Sequence, residues 1–169
     1  MTGRPDPADF QLWRDCTGAA ATAALGEALA ARLRGGEAIL LWGDLGAGKT
    51  TLVQGVCRGL GCDETATSPT FNLAHRYHGR LVVHHLDGYR LGPGDDLHDI
   101  GLDAVLDEVA AGEAVLLAEW PRLLLPWLDA PLELLLEITG PDRRRVGLRG
   151  PAGAVAGLAD LFTAGGAAC

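Results

Sequence analysis

The segment that most constrains this chain is the glycine-rich turn Gly43-Asp44-Leu45-Gly46-Ala47-Gly48-Lys49-Thr50. It fits GxxxxGK[ST], a pattern that works only between a strand and a helix. Both flanks are present. Ala38 to Trp42 is a continuous apolar run ending at glycine, as in a strand buried on both faces of a parallel sheet. Lys49 to Leu60 reads as the helix, with Gly61 as its stop. In such a turn successive N–H groups point inward at phosphate oxygens, and the helix adds its positive end. Lys49 would then reach the β and γ phosphates, and the Thr50 hydroxyl would ligate a magnesium ion bridging them.

Composition sharpens this reading. Lys49 is the only lysine among 14 basic residues, in a chain that otherwise uses arginine. A compact ammonium fits a tight phosphate cradle where a planar guanidinium does not. Ser68 is the only serine, which excludes a GxSxG nucleophile elbow. Fourteen basic against 22 acidic residues give a net charge of −8, unsuited to a groove that tracks DNA or RNA phosphates. The 169 residues, 48% of them hydrophobic, suit one domain over 1–169, with 1–10 expected as a loose tail and 163–169 as a loose end. No run is long enough to cross a bilayer and no leader pattern opens the chain, so a cytoplasmic protein that binds neither membrane nor DNA is expected. Cys16, Cys57, Cys62 and Cys169 form no CxxC pair and are expected to be thiols.

Beyond the turn, Ala20 to Leu33 carries leucines every four residues and reads as a helix. Strands are expected at Asn72 to Tyr77, Arg80 to Leu86, Ala114 to Ala118, Pro131 to Thr139 and Arg145 to Arg149. Helices are expected over Leu97 to Val109 and in a weak Ala/Gly-rich segment ending near Phe162. The implied fold class is α/β, with a central, mostly parallel sheet flanked by helices.

A metal at such a turn also needs an acid at the end of a neighbouring strand. Asp87 and Glu119 each end a predicted strand, at the edge where ligands of open α/β sheets collect, though either alone could be a solvated strand end. Ser68-Pro69-Thr70 follows the predicted helix; its hydroxyls could answer the γ phosphate, or Pro69 could simply stiffen a turn. His84 and His85 alternate faces, so at most one can point at the site. Arg143-Arg144-Arg145 reads more readily as a solvated turn than as a phosphate clamp.

Taken together, GDLGAGKTTLVQG, SPTFNL, HLDGYRL and AEWPRL, in this order and spacing, resemble the TsaE family of bacterial tRNA threonylcarbamoyladenosine biosynthesis, over about residues 17 to 140. The resemblance implies a P-loop ATPase domain that binds ATP and magnesium, hydrolyses ATP slowly and associates with the TsaB–TsaD pair, meeting tRNA only through that complex. It implies that Gly43 to Thr51 hold the phosphates together with Thr70, that Thr50, Glu119 and Asp87 hold magnesium, and that Lys49, Asp87 and Glu119 serve hydrolysis. His85, Tyr89 and Arg90 would accompany Asp87, and Trp120 would lie near the nucleotide or partner surface. Two positions depart from the family pattern. Gly88 replaces a bulky residue, and Arg122 stands where Glu or Gln is common, from where an arginine could still approach phosphate. A small-molecule or nucleotide kinase is the alternative reading, but no Arg-rich lid is evident. A GTP switch is excluded, because Asn72 and Lys49 are the only residues of their types and no NKxD can be built.

Overall fold

The computed structural model describes residues 3–66, 73–92 and 94–163, and the statements below concern these residues. Seven strands form one sheet in the order β1-β7-β6-β2-β5-β4-β3. They are β1 (Leu12–Thr17), β2 (Ala38–Trp42), β3 (Ala74–His78), β4 (Val82–Asp87), β5 (Ala114–Glu119), β6 (Leu132–Ile138) and β7 (Arg143–Arg149). Helices α1 (Gly18–Ala30), α2 (Lys49–Gly59), α3 (Leu102–Ala110) and α4 (Ala152–Thr163) flank it. The central pairings β6–β2, β2–β5 and β5–β4 are parallel, while β1–β7, β7–β6 and β4–β3 at the flanks are antiparallel.

The continuous apolar runs sit where burial on both faces requires them. Along β2, Ile39 and Leu41 pack with α1, α2 and α4, whereas Leu40 faces the cluster built on α3. In β5, Val115 and Leu117 take the first face and Leu116 and Ala118 the second. This places the glycine-rich turn after β2 at the C-terminal edge of the parallel block.

Helices α1 and α2 meet at glycines. A Cβ added at Gly55 would stand 2.0 Å from the Ala23 carbonyl oxygen, and one added at Gly26 would stand 2.3 Å from that of Leu52. The two backbones therefore touch, and the helix that follows the turn is seated directly on α1.

Four features differ from the sequence reading. Residues 3–10 are not loose: Asp6 caps a short 3-10 turn, Phe10 is buried with Trp42 and Leu135, and Arg4 pairs with Glu137 at 3.0 Å and with Asp44 at 3.4 Å. Strand β1 was not expected, because as an edge strand it buries only Cys16 and its Arg14 and Asp15 hide the pattern. The α3 helix starts at Leu102 rather than Leu97, since Gly101 adopts φ +75° and ends any earlier helical path. Arg143-Arg144-Arg145 is not a solvated turn but the start of β7, paired with β6 and β1, and the Arg144 guanidinium donates to the carbonyls of Gly46 and Gly140 at 3.2 and 3.1 Å. The expected loose end beyond Thr163 and the segment 67–72, which includes Ser68 and Thr70, lie outside the described residues. Cys16, Cys57 and Cys62 are free thiols.

Candidate functional site

The turn between β2 and α2 has glycine where the backbone demands it. Gly43 has φ +143°, and a Cβ there would meet the Leu136 carbonyl oxygen of β6 at 2.5 Å. Gly48, the residue before the helix, has φ +101°. Side chains are strained at both φ values, and at Gly43 the strand leaves no room for one. The first turn of α2 then presents N–H groups that the helix itself cannot pair, the standard setting for an anion.

Lys49, only 4% exposed, folds back along the loop. Its ammonium donates to the carbonyls of Gly43 at 2.8 Å and Asp44 at 2.9 Å and lies 4.3 Å from the centroid of the Trp120 ring. Burial lowers its pKa from the ordinary lysine value, against the opposing pull of the Glu119, Asp87 and Asp44 carboxylates. The indole is held in place by backbone geometry, because Trp120 sits at φ +51°, in the left-handed region, and turns the chain sharply after β5.

The two acids end neighbouring parallel strands in register, Asp87 opposite Glu119. Glu119 is buried, and its Oε1 accepts the Thr50 hydroxyl at 2.9 Å and His85 Nε2–H at 3.0 Å. Asp87 accepts the Tyr89 N–H at 3.0 Å, which folds Gly88–Arg90 into a 3-10 turn beside the site. Gly88 is required there: a Cβ would stand 2.4 Å from the Trp120 carbonyl oxygen, so in this chain the turn and the indole's backbone are in direct contact.

A cavity of about 400 Å3 collects these groups: Gly46, Gly48, Lys49, Thr50 and Thr51 from the loop and helix, Asp87 and Glu119 from the strands, and Tyr89, Arg90 and Trp120 in its wall. The other candidates lie around it. Leu45 also lines the cavity but is 74% exposed, Ala47 is buried beneath the loop, and Asp44 reaches outward to Arg4. Arg122 lies in neither the loop nor this cavity. It lines a second, adjacent cavity of about 510 Å3 with Gly43, Asp44 and Trp42, which shares Tyr89 and Trp120 with the first. Of the two histidines, His85 lies behind the cavity wall against Glu119 and His84 pairs with Glu108 on α3 at 2.9 Å. Sequence reasoning did not foresee the Lys49–Trp120 contact or the role of Arg144 at the loop tip.

For a metal, the donors are a hydroxyl and two carboxylates beside a phosphate-type loop. Hard oxygen donors that leave places for water and phosphate suit magnesium, and no cluster of three or more His, Cys, Asp or Glu side chains that could form an all-protein cage occurs among the described residues.

A mixed sheet parallel at its centre, a GxxxxGK[ST] turn at the strand edge and acids on the adjoining strand ends define a single-domain α/β protein built round a glycine-rich strand-to-helix turn. Comparison with known proteins narrows the class. The family model "Threonylcarbamoyl adenosine biosynthesis protein TsaE" matches residues 16–146. A Bacillus subtilis protein named tRNA threonylcarbamoyladenosine biosynthesis protein TsaE is 37% identical over 127 residues, covering 74% of this chain and 77% of that protein. The Treponema pallidum protein of the same name is 43% identical over 99 residues, covering 59% of this chain and 70% of its own length. The crystal structure of Bacillus subtilis YdiB superposes with a TM-score of 0.69 at 29% identity, covering 89% of this chain and 93% of that one. The chain belongs to the TsaE family of tRNA threonylcarbamoyladenosine biosynthesis. No helix among the described residues is long and apolar enough to cross a membrane.

Proposed function

We propose that this protein is a magnesium-dependent ATPase that works with the TsaB–TsaD pair of the threonylcarbamoyladenosine system. The observation that carries the reading is the meeting of Lys49, Thr50, Asp87 and Glu119 in one cavity at the C-terminal edge of the parallel strands. The loop amides and the α2 N-terminus receive the phosphates, and Lys49 exchanges its two carbonyl partners for phosphate oxygens. Thr50 and Glu119 would hold magnesium, which would supply charge neutralisation to the phosphates. Asp87 orients the attacking water. The water oxygen forms the new bond to the γ phosphorus, the bond to the β–γ bridging oxygen breaks, and ADP and phosphate leave with the proton released to solvent. Arg90 lines the same cavity and supplies a positive group to its wall.

Family membership supports the partners, and the net charge of −8 fits a protein that reaches tRNA through a complex rather than by its own surface. The test is thermal melting and ATP turnover. Magnesium-ATP at about a hundred times its Kd should stabilise the fold by roughly 2.7 kcal/mol, which raises the Tm by about 5 to 11 °C in a domain of this size. Turnover should be slow alone and should change on adding TsaB, TsaD and tRNA. No Tm shift, or phosphate appearing on a small acceptor as in a kinase, would contradict the reading.

A further inference from the structure

Behind Glu119 stands a histidine with an unusual set of partners. His85 on β4 is fully buried and lies on the sheet face that carries α1 and α2, one pleat back from Asp87. Its register partner on β5 is Leu117, so the ring reaches diagonally to Glu119 and donates from Nε2 to Oε1 at 3.0 Å. The Thr50 hydroxyl donates to the same oxygen at 2.9 Å. Donors from β4 and from the first turn of α2 thus converge on one carboxylate oxygen of β5. The terminal torsion of a glutamate is soft, and two donors on one oxygen fix it.

The other ring nitrogen argues that this contact is kept for more than packing. His85 Nδ1 is buried and has no hydrogen-bond partner among the described residues. An unpaired polar atom in the core costs stability that an apolar ring of similar shape would not. Retaining the imidazole is explained if its Nε2–H is needed.

We propose that His85 is a positioning residue that pins the Glu119 carboxylate from behind, so that Glu119 and Thr50 present their oxygens to magnesium as one preset pair. This rests on the proposed magnesium-nucleotide site. The test measures binding of a non-hydrolysable ATP analogue by the full chain, across a magnesium titration and in EDTA. In His85→Phe the half-saturating magnesium concentration should rise about tenfold, the scale on which outer-shell partners of metal ligands act. Affinity in EDTA should be unchanged. His85→Gln, whose amide restores a donor near the Nε2 position, should recover part of the magnesium response. If the phenyl ring does not pack, His85→Asn, whose amide falls short of Glu119, serves as the donor-free variant. An unchanged magnesium titration in the donor-free variant overturns the inference, as does a parallel loss of affinity with and without magnesium. A parent protein whose binding ignores magnesium overturns the proposed site itself, so the two failures are told apart by the parent's own curve.

Discussion

Replacing Gly55 by alanine tests how closely the helix after the phosphate-type loop is held. The new Cβ would stand 2.0 Å from the Ala23 carbonyl oxygen and 2.8 Å from its carbon. Carbon–oxygen contacts settle near about 3.3 Å, so α1 and α2 must part by roughly 1 Å. They cannot slide instead, because Gly26 and Gly59 make the same close approach on either side, the latter with a Cβ position 2.6 Å from that of Ala30. Alanine gains about 1 kcal/mol of helix propensity. Against this, overpacking costs about 1 to 3 kcal/mol or more, and the parting also loosens Leu25, Leu29, Leu52 and Val56 in the shared core. The net expectation is a loss of about 2 kcal/mol, or a Tm lower by roughly 4 to 8 °C. Urea and thermal melts should be run beside Gly157→Ala, an exposed α4 position where an added Cβ meets nothing within 4 Å. That variant should gain up to about 1 kcal/mol. If Gly55→Ala melted at or above the parent, the backbone contact between the helices would be refuted.

Two further perturbations separate roles. Lys49→Ala should weaken nucleotide binding, since its ammonium serves ground and transition states alike, while Asp87→Ala should chiefly lower turnover; parental turnover in Asp87→Ala would remove its assigned role. Burial, followed by the neighbouring Cys62, pushes the Cys57 thiol up to about 12, so native Cys57 should resist a thiol reagent at pH 8 and react once unfolded. The raised folded pKa means that the unfolded chain loses its proton first. Stability should therefore fall between about pH 9 and 12, by at most about 1.4 kcal/mol per pH unit from this group, and Cys57→Ala should flatten that stretch of the curve.

What the sequence made legible follows from how locally each feature is encoded. The glycines at 43 and 48 announce backbone values that few other residues adopt, and β2 and β5 announce burial on both faces, so the loop, its flanks and the strand-end acids could be read in advance. Alternation along β4 puts at most one of His84 and His85 at the site, and it is the resemblance that names His85 beside Asp87; in the structure His85 meets Glu119 and His84 meets Glu108 on α3. Arg122, from where an arginine could approach phosphate, follows the left-handed Trp120 and lines the neighbouring cavity, a placement that no local pattern encodes. The docking of Arg4 and Phe10 depends on β6 and β7, more than a hundred residues away, and no local pattern records that.

The strand order also governs when this molecule can acquire its site during synthesis. β2 carries the glycine-rich turn, yet its partners are β5, which begins at residue 114, and β6, which begins at residue 132. β1 waits still longer, for β7 at residues 143–149. A chain emerging from its N-terminus therefore exposes the loop early but cannot seat it until most of the sequence has appeared, because those pairings are all non-local. Asp87 and Glu119 arrive on the later strands as well. A nascent fragment ending before β6 therefore has the loop but lacks a strand that anchors it.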